Sequence, residues 1–224
     1  MNNPPVDLDF SHKYDREHAE AYLKKHQDGL ARKLSHRRDV QLARHALKLA
    51  GQPNLVLDLP CGAGRFWPLL AEKDNRVIIG ADNSADMLAV ACAGQPDGVV
   101  KRVRPLQTSA FAIDLPDSSV DNIFCMRLLH HIGEADDRRV LLREFHRDSV
   151  ILSLWVDGNF KAWKRRRMEA RRVANGEQTG YQNRFVLPAE TVEREFRDAG
   201  FVVQKHLDFI PLYHMWRVYI LRKE

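Results

Sequence analysis

Apolar and polar positions recur along this chain with two different periods. Val40, Ala43, Leu47 and Ala50 fall at helical spacing, with Asp39 placed to cap that helix and Gly51 just beyond its end. Upstream, Y-D-R-E-H-A-E-A-Y-L-K-K-H (14–26) predicts another helix, with Tyr14, His18 and Tyr22 on one face, either as an N-terminal lid or as a packing face. From residue 55 the rhythm shortens. Leu55 to Leu59, Val77 to Ala81, Val120 to Met126 and Val150 to Trp155 are compact apolar runs of the buried-strand type. A further strand is expected within 101–107, at a sheet edge, because Pro105 cannot donate to a ladder on both sides.

Helical patterns lie between these runs. Residues 65–73 leave room for one helix, and Ser84 can cap another that carries Met87, Leu88 and Ala91 and stops at Gly94. Leu141, Leu142 and Phe145 give the inward face of a helix over 136–147, and Ala189, Val192, Phe196 and Ala199 that of one over 188–199. Strand–helix alternation predicts an α/β, Rossmann-like, mainly parallel sheet with helices on both faces. The last two strands, 202–210 and 216–221, are joined by a few residues without a helix, so they should run antiparallel. We read 1–224 as one domain. It comprises N-terminal helices (1–50), a cofactor-binding half (51–155), a variable basic insertion (156–187) and a C-terminal helix with a strand hairpin (188–224).

Composition narrows the class. Hydrophobic residues make up 44% and charged residues 29% of 224, an ordinary globular balance that can bury a core without staples. Cys61, Cys92 and Cys125 are far apart and form no Cys-x-x-Cys pair, so a zinc ribbon or disulfide framework is not expected, nor any other metal. The first ten residues lack the basic and apolar regions of a signal peptide, and no apolar run approaches the roughly 20 residues that span a bilayer. The expectation is a cytoplasmic protein. A net charge of +5 favours anionic partners.

The chemistry concentrates at V-L-D-L-P-C-G-A-G-R (56–65), where the first strand turns. A dinucleotide turn, G-x-G-x-x-G, would place its third glycine where Trp67 stands, and an indole there would wedge the helix away from the strand. The other reading keeps Asp58 as an acceptor for a cationic amine and uses Gly62 and Gly64 for close backbone approach. Asp82, 24 positions on at the end of the second strand, suits a ribose. Each carboxylate alone could equally be a helix cap.

Three stretches together, V-L-D-L-P-C-G-A-G-R, I-I-G-A-D-N-S-A-D-M-L and F-A-I-D-L-P-D-S-S-V-D-N-I-F-C-M-R-L-L-H-H-I, resemble the motifs of class I S-adenosylmethionine-dependent methyltransferases, in the ubiquinone-biosynthesis-like branch. The resemblance covers roughly residues 50 to 155. It implies a seven-stranded sheet with a reversed last strand and S-adenosylmethionine as cofactor. By motif position it implies that Asp58, Cys61, Gly62 and Gly64 line the methionine moiety and that Asp82, with Asn83, holds the ribose. It also implies that Met87 packs near adenine, that Ser109 and Ala110 face its edge, and that Met126 lies beside the cofactor. Two positions depart from the pattern. Ser109 replaces an acidic residue, and Pro60 replaces the first glycine, fixing φ near −65°.

On the acceptor side, His130 and His131 are candidate general bases, against a packing role for L-H-H-I. Tyr213 and His214, in the last hairpin loop, and Tyr14 are candidate substrate contacts. The segment F-K-A-W-K-R-R-R-M-E-A-R-R (160–172) places Phe160, Trp163, Arg167 and Ala170 on one helical face, which makes Trp163 and Arg167 further candidates. Such a helix suits an anionic lipid surface, phosphate groups or RNA, or is a solvated face over an ordinary core contact. The preferred reading is methyl transfer to a small-molecule or lipid/saccharide-linked anionic acceptor. RNA methylation and a non-catalytic S-adenosylmethionine-binding module are the alternatives. The exocyclic-amine motif N/D-P-P-Y/F is absent, its place being taken by Cys125-Met126-Arg127-Leu128.

Overall fold

A computed structural model describes Val6 and residues 29–145, 149–176 and 184–224. Tyr14, His18, Tyr22 and the predicted lid lie outside the described residues. The chain runs α1 (Leu30–Leu49), β1 (Leu55–Asp58), α2 (Trp67–Leu70), β2 (Val77–Asp82), α3 (Ala85–Gly94), α4 (Asp97–Val100) and β3 (Val103–Gln107). It continues through β4 (Asn122–Cys125), a 3₁₀ turn (Leu129–His131), α5 (Ala135–Phe145), β5 (Ser149–Trp155) and α6 (Phe160–Ala174). It ends with α7 (Ala189–Asp198), β6 (Phe201–Asp208) and β7 (Trp216–Lys223).

The seven strands form one sheet in the order β3-β2-β1-β4-β5-β7-β6. β1 to β5 pair in parallel, while β7 runs antiparallel to both β5 and β6. This is the seven-stranded sheet with a reversed last strand that the resemblance implies, and β3 with its Pro105 is at the edge as expected. Alternate strand residues feed two cores. Leu57, Ile123, Cys125, Val150 and Leu152 pack with Leu141, Phe145, Val192 and Phe196 of α5 and α7. Val56, Phe124, Met126 and Ile151 pack with Leu42, Leu47, Trp67, Leu88 and Ala91 of α1, α2 and α3. The period of two thus sends each strand to both faces, as a doubly covered sheet requires.

Ser84 caps α3, its Oγ accepting from the Met87 N–H at 3.2 Å. The helix of 65–73 is only the single turn α2. Trp67 does not wedge it from the strand. Its indole is fully buried, and it lies so close to Gly80 of β2 that a Cβ there would meet ring carbon Cζ2 at 2.5 Å. The missing hydrogen-for-side-chain exchange is made across the interface, with the glycine on the strand and the large residue on the helix.

Asp39 also departs from its expected role. It sits in the middle of α1, not at its cap, and is 5% exposed. Its Oδ2 accepts from Arg65 Nη2 at 2.6 Å and from Arg127 Nη2. Arg65 also donates through Nε to His36 Nδ1 at 2.9 Å. One carboxylate therefore joins α1 to the end of the glycine turn and to Arg127, two residues past β4. A second buried pair joins α5 to α7, where Arg138 donates through Nε and Nη2 to both oxygens of Glu195 at 2.8 and 2.7 Å.

Removing one partner from a buried ion pair leaves the other charge uncompensated. Asp39→Ala should lower unfolding stability by about 3 kcal/mol, measured by urea denaturation. A loss below about 1 kcal/mol, the worth of a surface pair, would mean that Arg65 and Arg127 find solvent instead.

Candidate active site

The carboxyl ends of β1, β2 and β4 converge on the glycine turn. Gly62 and Gly64 have φ of 53° and 68°, a region that favours glycine. The turn is held against β2 by two hydrogen bonds. The Cys61 N–H donates to the Ala81 carbonyl at 2.8 Å, and the Gly62 N–H donates to Asp82 Oδ2 at 2.9 Å. Gln95, just past α3, donates from its side chain to the Ala63 carbonyl at 3.0 Å. Pro60, preceded by a cis bond, opens the turn.

Asp82 is thus a strut before it is anything else. Its other oxygen accepts from the Ser84 N–H at 3.0 Å. With the Asn83 N–H also directed at it, the carboxylate keeps room for a further donor. Burial raises its pKa, against the backbone donors of Ser84, Gly62 and Asn83. Asp58 has no such support. It is 1% exposed, and its Oδ2 lacks a hydrogen-bond partner. Burial, then the neighbouring Asp82 charge, pushes its pKa well up. The Trp67 indole opposes that rise, yet its Nε1 completes no hydrogen bond. A buried carboxylate left unsatisfied beside a second one is a site that a cationic donor would fill.

The other expected residues distribute as follows. Cys61 and Met126 are buried together in the α1-side core. Met87 is buried with its methyl end over Gly62, 3.6 Å from where a Cβ would stand. Asn83 is exposed, its carbonyl accepting from Gln107 Nε2 at 3.1 Å. Ser109 Oγ accepts from the Phe111 N–H at 3.1 Å and so shapes its own turn, while Ala110 packs in the core with Leu57 and Ala81.

Beyond β4 the structure assembles a cluster that the sequence reading had only in part. Trp155 and Trp216 face each other across β5 and β7. His130 packs on both, with ring centroids at 5.1 and 4.8 Å, and His131 lies 4.0 Å from His130. Arg127 lies over Trp216 at 4.8 Å, and Arg165 and Arg184 lie over Trp155 at 5.3 and 5.6 Å. His130 is 4% exposed and its Nδ1 lacks a partner, as does Trp155 Nε1. Burial, then the His131 and arginine charges, holds His130 well below the usual histidine range. His214 accepts from the Trp216 N–H through Nδ1 at 3.1 Å, and burial followed by Lys161 lowers it to about 4.

Trp163 and Arg167 do not join this cluster. They pair with each other at 5.4 Å on the outer side of α6, where Trp163 also meets Phe160. Tyr213 stacks on Phe160 and is 45% exposed. Of α6, only Ala162 is buried, so a core contact, one of the alternatives for this helix, is not made through Phe160 and Trp163. Sequence reasoning missed the part played by Asp39, Arg127, Trp155, Trp216 and Arg184. The tryptophans were visible as strand-end aromatics, but their pairing needs the β5–β7 register.

Residues 56–148 match the family model described as a methyltransferase domain. This part of the chain is a methyltransferase domain. A search of curated proteins by sequence returns no match. Among solved structures, magnesium protoporphyrin IX methyltransferase from Synechocystis PCC 6803, with bound S-adenosylhomocysteine, is similar at 14% identity and TM-score 0.76. That alignment covers 96% of this chain and 98% of the other. Human N-acetylserotonin methyltransferase, in complex with S-adenosylmethionine, is similar at 15% identity and TM-score 0.68, over 99% of this chain and 60% of the human one. The [4+2]-cyclase SpnF shares the fold at 16% identity and TM-score 0.62, over 82% of this chain and 81% of its own. The fold thus carries more than one chemistry, and the acceptor must be argued from the site.

Two outcomes follow for this chain. Asp58→Asn should weaken S-adenosylmethionine binding by about tenfold or more in calorimetry. The ligand-free melting temperature should stay equal or rise, because a buried charge is removed; unchanged affinity takes Asp58 out of the site. The second outcome concerns pH. His130 and His214 stay neutral in the fold, whereas an unfolded histidine titrates near 6.5. The unfolded chain then binds more protons, so stability falls as pH drops from 6.5 toward 4. Melting temperature should decline over that window, and His214→Gln should flatten the decline. An unaltered slope would assign the loss elsewhere.

Proposed function

We propose that the enzyme methylates an anionic acceptor, small or lipid- or saccharide-linked, that enters over the ends of β4 and β5. The observation that carries this reading is the ring cluster of His130, Trp155 and Trp216 with Arg127, Arg165 and Arg184 laid against it. Flat apolar surface edged by guanidinium groups favours a planar or alkyl body bearing carboxylate, phosphate or phenolate.

On the cofactor side, the unsatisfied Asp58 Oδ2 fits the α-amino group of S-adenosylmethionine. The remaining lone pairs of Asp82 fit ribose hydroxyls, with Asn83 beside them. Gly62 and Gly64 admit the methionine chain past Cys61 and Met126, and Met87 with the Ser109–Ala110 turn closes on the adenine. The bound cofactor supplies a methyl group on a sulfonium with a good leaving group. The protein then has mainly to align the nucleophile and keep water out. His130 is too desolvated to be a strong base, and the half-buried His131 beside it is the other candidate base. An acceptor that arrives as an anion needs little more. The order of the glycine-turn and L-H-H-I motifs supports placement in the ubiquinone-biosynthesis-like branch. RNA is the second reading, supported by the basic face of α6.

Methyl-labelled S-adenosylmethionine incubated with the enzyme and fractionated cell extract tests the proposal. Label should enter an anion-exchange-retained small-molecule or lipid pool, and Arg184→Gln should raise KM for that pool more than it lowers kcat. Label confined to RNA would favour the second reading, and label in neutral metabolites alone would overturn the anionic acceptor.

A further inference from the structure

We infer that the outer face of α6 and the β6–β7 loop form a docking surface for an anionic bilayer. α6 touches the protein through Ala162, with Arg165 paired to Glu169 at 2.9 Å. Helical geometry puts Phe160, Trp163, Lys164, Arg167 and Arg171 on the opposite side. Phe160 and Trp163 are each 48% exposed. The helix start is tied to the loop, since the Phe160 N–H donates to the Leu212 carbonyl at 2.9 Å and the Lys161 N–H to the Tyr213 carbonyl at 3.0 Å. The loop adds Ile210 (45% exposed), Leu212 (83%) and Tyr213 (45%) to the same surface. Soluble surfaces rarely gather so many large apolar side chains beside one another.

Charge selects the partner. α6 carries seven lysines and arginines against one glutamate. Arg165 and Arg166 are engaged by Glu169 and Asp157, and Lys161 and Arg167 lie over the rings of Tyr213 and Trp163. Lys164 and Arg171 have no carboxylate partner among the described residues. Aromatic rings with cations at their edges match the headgroup layer of a membrane, where the ring body is apolar and the cation meets phosphate. The aliphatic tip decides between a bilayer and RNA. Bases stack on flat rings and their phosphates need cations, but neither uses protruding Leu212 and Ile210. Those side chains gain by entering the acyl boundary.

Position adds a reason. The β6–β7 loop and Trp155 lie at the carboxyl edge of the sheet, the edge to which Asp58 and His130 belong. Docking there would bring a lipid-linked acceptor to the proposed entrance, a consequence that rests on the reading of the acceptor given above. Among the described residues no helix is long and apolar enough to cross a membrane, so attachment would be peripheral.

The test is flotation of the full chain with phosphatidylcholine vesicles, with and without phosphatidylserine, at low and high salt. The chain should float with the anionic vesicles and much less with neutral ones. Lys164→Gln, Arg167→Gln and Arg171→Gln combined should reduce partitioning on the order of 100-fold and flatten its salt dependence. Leu212→Ser with Phe160→Ala should keep the low-salt attraction and lose the salt-resistant part. Equal flotation with both lipids, no flotation, or loss by the variants only of binding to a single-stranded RNA oligonucleotide would overturn the inference. S-adenosylmethionine binding of the wild-type chain without vesicles, by calorimetry, reports separately on the cofactor site, and label transfer to a soluble anionic acceptor would overturn the lipid-borne route while leaving vesicle binding to stand.

Discussion

The hydrogen bonds that Asp82 draws to itself are the constraint on which the site depends. Its carboxylate receives Gly62 from the turn and Ser84 from the start of α3, so the first two strand–turn–helix units are locked at one point. Locking the turn there leaves Asp58 behind it, buried and short of a donor. Desolvation makes that carboxylate costly in the empty protein. In the proposed reading the same cost would become binding selectivity for a cation, since a group that satisfies Asp58 relieves a penalty already present.

The aromatic floor beyond β4 is built on different physics. Trp155 and Trp216 meet because β7 returns antiparallel beside β5, and His130 is pressed onto them by the 3₁₀ turn after β4. Arg127 connects this floor to the rest. It lies over Trp216, reaches Asp39 on α1, and donates its N–H to Ser153 Oγ at 2.9 Å. Its φ of 73° is unusual for a non-glycine residue. A strained backbone, a buried carboxylate and an aromatic face all hold one guanidinium, which therefore presents a fixed charge.

Stability and function are separated in space. Arg138 and Glu195 and the two apolar cores secure the α5–α7 side and the sheet, while exposed apolar side chains gather at α6 and the β6–β7 loop, where few core contacts depend on them.

The strand and helix order was legible in the sequence because apolar period alone distinguishes a doubly covered strand from an amphipathic helix. The glycine turn, the Ser84 cap, the edge position of Pro105 and the reversed last strand were legible for the same local reason. Asp58 and Asp82 could be placed at strand ends, but their unequal hydrogen bonding could not, because it depends on how the turn folds back on β2. Asp39 read as a cap, since nothing local shows that Arg65 and Arg127 come from elsewhere to meet it. Trp67 read as an obstruction, since the glycine that houses it lies on another strand. The sequence by itself determined the layers, the turn and the acidic pair. Only the tertiary structure decided which charges are buried, which rings form a floor and which face of α6 looks outward, because each of these is a contact between segments far apart in the chain.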